Sequence, residues 1–436
     1  MPIPAVSLAA EPTPRLAHSI PTSAVVATVL GNAIEFYDFT AYGFFAVIIG
    51  HVFFPSHDPF ISLMLSVAVF GVGFVSRPLG GVVIGAYADR AGRKPAMMLS
   101  IGLMAVGMVL LAATPSYATI GLAAPILVVI ARVVQGFALG GEVGPSTSYL
   151  LEAAPIGRRG RYGAWQIASQ GAATTIAGLF GVLLSLWLSA DALQSWGWRV
   201  VFLAGIAIVP IGLIMRSRLQ DTINGGTQTV HTTSRDVVAA LLKHHLRPFL
   251  LALMLIISAT VTNYVIAYMT TYALSTLHMA TAASMGATAV VGCCILLFAL
   301  FGGWFSDFVG RKPVYLFSRL VLTAVVYPAF VAINHHHTLS ALLLMTALLA
   351  APHGLGGVVL VLIPECFPKS VRSAGLSIVY ALGVAVFGGT TQFVVTWLIH
   401  ATGNPLTPAW YLMGASVIGA LAVLMITETK DLTLTD

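Results

Sequence analysis

Four stretches of this chain carry no Asp, Glu, Lys or Arg: 95–131, 248–306, 320–364 and 373–427. One helix crosses the hydrocarbon core of a bilayer with about 20 apolar residues. Runs of 37 to 59 residues therefore hold two crossings each, joined by turns such as "TPSY" at 114–117 or "ATGNPLTP" at 401–408. Charged residues make up only 8% of the chain and hydrophobic ones 58%, against roughly a quarter charged in soluble domains. The chain is thus expected to be an all-α integral membrane protein. Filling in the rest predicts crossings near 22–50, 60–88, 95–113, 121–150, 162–188 and 198–216, then 248–275, 283–305, 312–333, 340–365, 373–399 and 408–427. That makes twelve transmembrane helices: a segment 1–21, a bundle 22–216, a linker 217–247, a second bundle 248–427 and a tail 428–436.

Lys and Arg in short loops stay on the cytoplasmic side. Of the 21 here, seventeen fall at the two ends of the chain or in the even-numbered connections, including "DRAGRK", "GRRGR" and the 217–247 linker. Arg77, Arg132, Arg199 and Arg319 lie within or at the ends of crossings. Both termini are therefore expected to be cytoplasmic. The net charge of +6 belongs to this loop bias and implies no nucleic acid. The first 21 residues lack the basic start and apolar core of a cleaved signal peptide. Three cysteines, Cys293, Cys294 and Cys366, imply no disulfide framework.

The charged loops repeat. "GAYADRAGRKP" at 85–95 returns as "GWFSDFVGRKP" at 303–313, a displacement of half the chain, with Gly, Asp, Gly, Arg, Lys and Pro in register. "EAAPIGRRGRYG" at 152–163 returns as "ECFPKSVRSAG" at 365–375, each with Pro three and Arg seven residues after Glu. The loop bias accounts for the basic residues but not for Gly, Asp and Pro at fixed spacing. The two halves read as pseudo-repeats of six helices, an arrangement found in transporters that bind substrate near the bilayer midplane.

These motifs also carry a family resemblance. Gly-x-x-x-Asp-Arg-x-Gly-Arg-Lys at 85–94 resembles the loop signature of the major facilitator superfamily, and "RVVQGFALGGE" at 132–142 its fourth-helix signature. Within that superfamily, "GNAIEFYDFTAYGFFA" at 31–46, "RPLGG" at 77–81 and "WGWR" at 196–199 resemble the metabolite:proton symporters. "AWQIASQ" at 164–170 and "FGGTTQ" at 387–392 extend the likeness to its citrate and tricarballylate transporters. The second loop copy departs from the pattern, with Phe308 where the first has Arg90. The resemblance implies a cytoplasmic gate. Asp89 with Arg93, and Asp307 with Arg311, would latch the two halves, each Asp at a helix N-terminus of the opposite half, where the helix dipole favours an anion.

Charges buried within crossings are costly and mark function. Glu35 and Asp38, three residues apart, share one helical face. Arg77 reaches the same depth as Glu35, and Arg132 lies in the upper half of the fourth crossing, with Glu142 lower as a possible interhelical ion pair. The planar fork of Arg suits carboxylates, so Arg77 and Arg132, flanked by Asn32, Gln166, Gln170, Asn263, Tyr264 and Tyr268, read as a polycarboxylate site. The alternative for the amides and phenols is hydrogen bonding between helices. Glu35 and Asp38 are the expected proton carriers, or oxygen ligands for Na⁺. Arg199 is read as attracting the anion near the outer face. His335–His337 lack carboxylate or thiolate company and predict no metal site. His353, between Pro352 and Gly354, is read as packing at a helix break, the alternative being a place in the cavity or a proton path. No phosphate loop for ATP and no cofactor is expected.

The expected function is a monomeric, non-enzymatic secondary transporter of a bacterial inner membrane, importing citrate or tricarballylate with cations. Alternatives are 2-oxoglutarate, shikimate or an osmolyte as cargo, Na⁺ coupling, a drug/proton antiporter, and a non-transporting anion sensor.

Overall fold

The computed structural model describes residues 22–91, 93–140, 143–155, 157–217, 243, 245–368 and 372–430. Inside helices, the side chains of 22–24, 86, 88–90, 93–94, 143–145, 207–208, 211–217 and 373–374 lie outside the description. All regular structure among the described residues is helical, arranged as twelve rods. The first half holds α1 (22–53), α2 (59–91), α3 (Arg93–Ala113), α4 (123–152), α5 (Arg159–Trp187) and α6 (Trp198–Ser217). The second holds α7 (Leu246–Ser275), α8 (Thr281–Val309), α9 (Arg311–His335), α10 (Leu339–Glu365), α11 (372–402) and α12 (Thr407–Leu424). Nine rods are long and apolar enough to cross a membrane, and α1 makes a tenth if its two pieces count as one span. The exceptions are α4, whose apolar helix Ala123–Leu139 is short, and α6, most of whose last third lies outside the described side chains.

Local chemistry sets several rod ends. Asp58 accepts the Phe60 N–H at 2.9 Å and Pro59 takes the first helical position, so α2 begins there. Gly403, at φ +63°, closes α11 in the left-handed conformation.

The rods are not straight, which corrects the continuous first crossing expected over 22–50. α1 bends by 66° between Phe44 and Ala46, next to Gly43. In α10, Pro352 removes one ladder hydrogen bond and a 3₁₀ turn follows at Gly356–Val358. α11 carries a π-helical turn at Val384–Gly388. Residues at all three irregularities, Gly43 and Phe44, His353, and Val384, line one cavity.

The halves meet along two seams, each closed by glycine. On one, α5 runs along α8: a Cβ on Gly292 would sit 2.2 Å from the Thr175 nitrogen, and one on Gly171 2.5 Å from that of Leu296. On the other, α2 meets α11, where a Cβ on Gly71 would sit 2.4 Å from the Gly389 carbonyl oxygen. Without a hydrophobic drive in lipid, such backbone approach supplies the dispersion that holds helices together.

Candidate functional site

Between the halves lies a cavity of about 100 Å³. The first half contributes Thr40 of α1 and Gln170 and Thr174 of α5 to its polar wall. The second contributes Asn263 and Tyr264 of α7, His353 of α10, and Tyr380 and Gln392 of α11. Phe36, Phe39, Phe44 and Phe70 form its aromatic side. Several polar atoms here have no hydrogen-bond partner: both amide atoms of Gln392, Nε2 of Gln170 and Nδ1 of His353. Gln392 is 1% exposed. Leaving a buried polar group unmatched costs about 1–3 kcal/mol, so such a cluster needs a reason, and a polar ligand supplies one.

The buried charges form a layer behind this wall. Fully buried Arg132 donates from Nη1 to Asp38 Oδ2 at 3.2 Å and to Gln135 Oε1 at 2.7 Å. Its guanidinium lies 4.2 Å from the Phe39 ring centroid, and that of Arg77 lies 4.4 Å from the same centroid. Arg77 also covers Phe74 at 4.0 Å and lies within electrostatic reach of the phenol of Tyr264. Neither Arg77 nor Arg132 lines the cavity; among the described lining residues there is no guanidinium and no carboxylate. Phe39, Phe70 and Tyr264 stand between. Arg132 is paired with Asp38, so among the described residues the positive charge nearest the cavity without a carboxylate partner of this kind is the Arg77 guanidinium, set behind the aromatic wall. Glu35, 3% exposed on α1, is likewise off the cavity wall.

The other predicted binding residues divide. Gln170, Asn263 and Tyr264 line the cavity. Asn32 and Gln166 instead bind each other: Asn32 Nδ2 donates to the Gln166 carbonyl at 2.9 Å and to Ser169 Oγ at 2.7 Å, while Gln166 Nε2 donates to Asn32 Oδ1 at 3.0 Å. Tyr268 ties α7 to α11, its hydroxyl accepting from Thr396 Oγ1 at 2.9 Å. Sequence reasoning passed over Tyr380 and weighed Gln392 only inside a motif. The signal for Gln392 was there: an uncharged but strongly polar amide within a charge-free crossing.

The second loop copy forms a latch at the face that carries the basic loops. Asp307 accepts the N–H groups of Gly160 at 2.8 Å and Arg161 at 3.1 Å, at the N-terminus of α5 in the opposite half. Arg311 stays in its own half, 3.1 Å from Asp307 and 3.4 Å from Glu365. Among the described residues two ion pairs cross the seam: Arg159 Nη1 lies 3.5 Å from Glu365 Oε1, and Arg161 Nε 3.9 Å from Asp307 Oδ2. Arg159 and Glu365 both belong to the Glu-Pro-Arg repeat, and in the mirrored copy Arg372 lies within electrostatic reach of Glu152. Thr429 adds a 2.6 Å hydrogen bond to Glu365. The Asp89 and Arg93 side chains, and Glu142, lie outside the described residues. At the other face, Phe60 of α2 stacks on His400 of α11 with ring centroids 3.7 Å apart.

Arg199 is absorbed structurally. It donates to the carbonyls of Ala112 at 3.0 Å, Thr114 at 2.9 Å and Ser195, pinning the turn after α3 to α6. Arg319 donates to Thr262 at 3.0 Å. Among the described residues no group of three His, Cys, Asp or Glu is placed to hold a metal.

Residues 28–297 match the family model described as Major Facilitator Superfamily, and 215–436 that described as Sugar (and other) transporter. A citrate-proton symporter of Klebsiella pneumoniae is 36% identical, covering 92% of this chain and 90% of its own length. One from Salmonella typhi is 35% identical with 96% of each chain covered. A glycine betaine/proline/ectoine/pipecolic acid transporter of Dickeya dadantii is 32% identical over 94% of this chain and 83% of its own. Among solved structures, the xylose transporter XylE from E. coli in a partially occluded inward-open conformation superposes with a TM-score of 0.77 at 20% identity, over 95% of this chain and 99% of that one. The protein is a multi-pass inner-membrane transporter and not an enzyme. By this sequence match, this fold and its two glycine-closed seams, the chain belongs to the major facilitator superfamily.

Proposed function

We propose that this protein imports citrate together with protons, by alternating access around the cavity between its halves. The observation that supports this reading is the set of unpartnered amide and imidazole atoms around a cavity backed by Arg77 and Arg132. A polycarboxylate offers acceptors to the amide N–H of Gln170 and Gln392, to Asn263 and to the phenols of Tyr264 and Tyr380. Arg77 supplies attraction through the aromatic wall. It acts on the cavity through Tyr264 and Phe39, which stand between. Asn32, Gln166 and Tyr268 act as struts holding these groups in place.

A trianion entering against 100 mV, interior negative, costs about 7 kcal/mol at about 2.3 kcal/mol per charge. Three co-imported protons make the step neutral and a fourth lets the potential drive it. Asp38, in its ion pair with Arg132, and Glu35 are the carboxylates of this reading that exchange those protons. Asp307 with its partners forms the cytoplasmic latch, and both chain termini lie on that side. The protein works as a monomer.

The test is radiolabelled citrate uptake into proteoliposomes with pH, Na⁺ and voltage gradients imposed separately. Accumulation driven by the proton gradient, and reduced at least tenfold in Arg77→Ala, is expected. Na⁺-dependent uptake keeps the citrate site but reassigns the ion. Tricarballylate competing better than citrate moves the cargo within the same class. Uptake of betaine or proline but not citrate supports the second reading, which the Dickeya relative favours.

A further inference from the structure

We infer that His353 carries a proton that travels with the substrate, taken up when an anion's carboxylate enters the cavity and released when it leaves. The inference rests on the reading of this cavity as an anion site. It is carried by three features of α10 and its neighbours.

The first is position. His353 follows Pro352 and precedes the 3₁₀ turn of α10, at the irregular part of the rod, and its ring forms part of the cavity wall. Apart from the phenols Tyr264 and Tyr380, it is the only titratable side chain among the described residues of that wall. Neither Glu35 nor Asp38 is on it.

The second is tautomer. His353 Nε2 lies 3.2 Å from Asn263 Oδ1. An amide oxygen only accepts, so Nε2 carries the hydrogen and donates it. A neutral ring then has a bare lone pair on Nδ1. That atom is buried and has no partner, in a residue only 7% exposed. It is the place for a second proton: the N–H bond forms at Nδ1, the ring gains one positive charge, and the new N–H faces a carboxylate as a charge-assisted donor. No other bond changes.

The third is the surrounding charge. α9 brings Arg319, whose field reaches His353 and whose Nη1 is held by Thr262. α8 brings Cys294, beside the backbone at Gly354. α7 and α11 bring only the phenols named above, and α5 contributes the amide Gln170 at this height. The carboxylate of Glu365 lies at the other end of α10, committed to Arg311, Arg159 and Thr429 in the latch. An imidazolium and a guanidinium so placed repel each other, whereas a carboxylate entering the cavity attracts both. Anion and proton therefore bind cooperatively, which is the thermodynamic content of symport.

The experiment measures protons taken up on citrate binding, with a pH dye in weakly buffered detergent solution, for the full-length protein. The expected result is that His353→Gln, which keeps a donor toward Asn263, takes up about one proton fewer per citrate, and that the slope of log Kd against pH falls by about one. His353→Lys, with a fixed charge, should bind citrate with the same flattened slope. The wild type gives an independent reading, since the citrate-minus-empty infrared difference spectrum should lose neutral-imidazole and gain imidazolium bands. An unchanged proton count and slope in both variants, or no imidazolium band in citrate-bound wild type, overturns the inference while leaving the citrate site standing. Wild-type protein that binds no citrate overturns the functional reading, and this inference with it.

Discussion

The latch and the cavity are both polar islands in an apolar molecule, and they are built in opposite ways. At the latch each carboxylate lies beside opposite charge, although Glu365 Oε1, Arg311 Nε and Arg161 Nε make no hydrogen bond. Asp307 has two backbone N–H groups and Arg311, while Glu365 has Arg159, Arg311 and Thr429. At the cavity, Gln392 and His353 are buried to a similar degree and present atoms with no partner at all. A charge-compensated network stabilises the state in which it forms. An unsatisfied one raises the energy of the empty site until a ligand completes it. On the proposed reading, one region holds a conformation closed and the other is completed by its cargo.

The strongest way to break this contrast is at the latch. Asp307→Ala leaves two N–H groups at the head of α5 without their acceptor and removes one of the two carboxylates beside Arg311. Breaking a buried pair by removing one partner costs about 3–5 kcal/mol. Because these contacts exist only while the seam is shut at this face, the loss should fall on the conformational equilibrium. A cysteine at Ala164, beside Gly303 in that seam, should label at least tenfold faster in Asp307→Ala, with the native cysteines replaced in both backgrounds. Equal labelling would mean that the seam is held by glycine packing alone.

A smaller effect, of opposite character, is expected at the cavity. Gln392→Leu removes an amide that makes no hydrogen bond in the empty protein, so thermal stability should hold or rise. Citrate loses a donor, and its apparent KM should rise by about tenfold, the loss of roughly 1.4 kcal/mol of binding. A lowered Tm with unchanged KM would make Gln392 a strut and end the contrast.

The architecture was legible because lipid permits few solutions: the charge-free runs fix the rods, and the duplicated loop fixes their pairing into halves. Asp307 at the head of α5 was legible too, since the repeat and the helix dipole both point there. The register of faces was not. Arg77 and Arg132 were expected to reach substrate, but Phe39, only one residue from Asp38, turns to the cavity and puts its ring against both guanidiniums. Which side of α1 faces inward is set by its packing on α5 and α6, which the residue pattern of α1 alone does not announce. Arg311 was expected to latch the two halves but stays in its own, while Arg159, given no role from the sequence, reaches Glu365 of the second repeat motif across the seam.

The finest division concerns amides that resemble one another in sequence. Asn32 and Gln392 are both buried, both neutral and both in apolar rods. Asn32 makes three hydrogen bonds to α5, counting its acceptance from Gln166; Gln392 makes none through its side chain. Hydrogen bonds between membrane helices average about 0.6 kcal/mol, so Asn32→Ala should cost about 1–2 kcal/mol. The expected result is a lower Tm in detergent and a citrate KM changed by less than about threefold, since about 0.6 kcal/mol of indirect effect corresponds to that factor. Gln392→Leu measured alongside should show the reverse pairing. If Asn32→Ala raises KM as much as Gln392→Leu does, the strut has become part of the site, and α1 must move against α5 when the substrate binds.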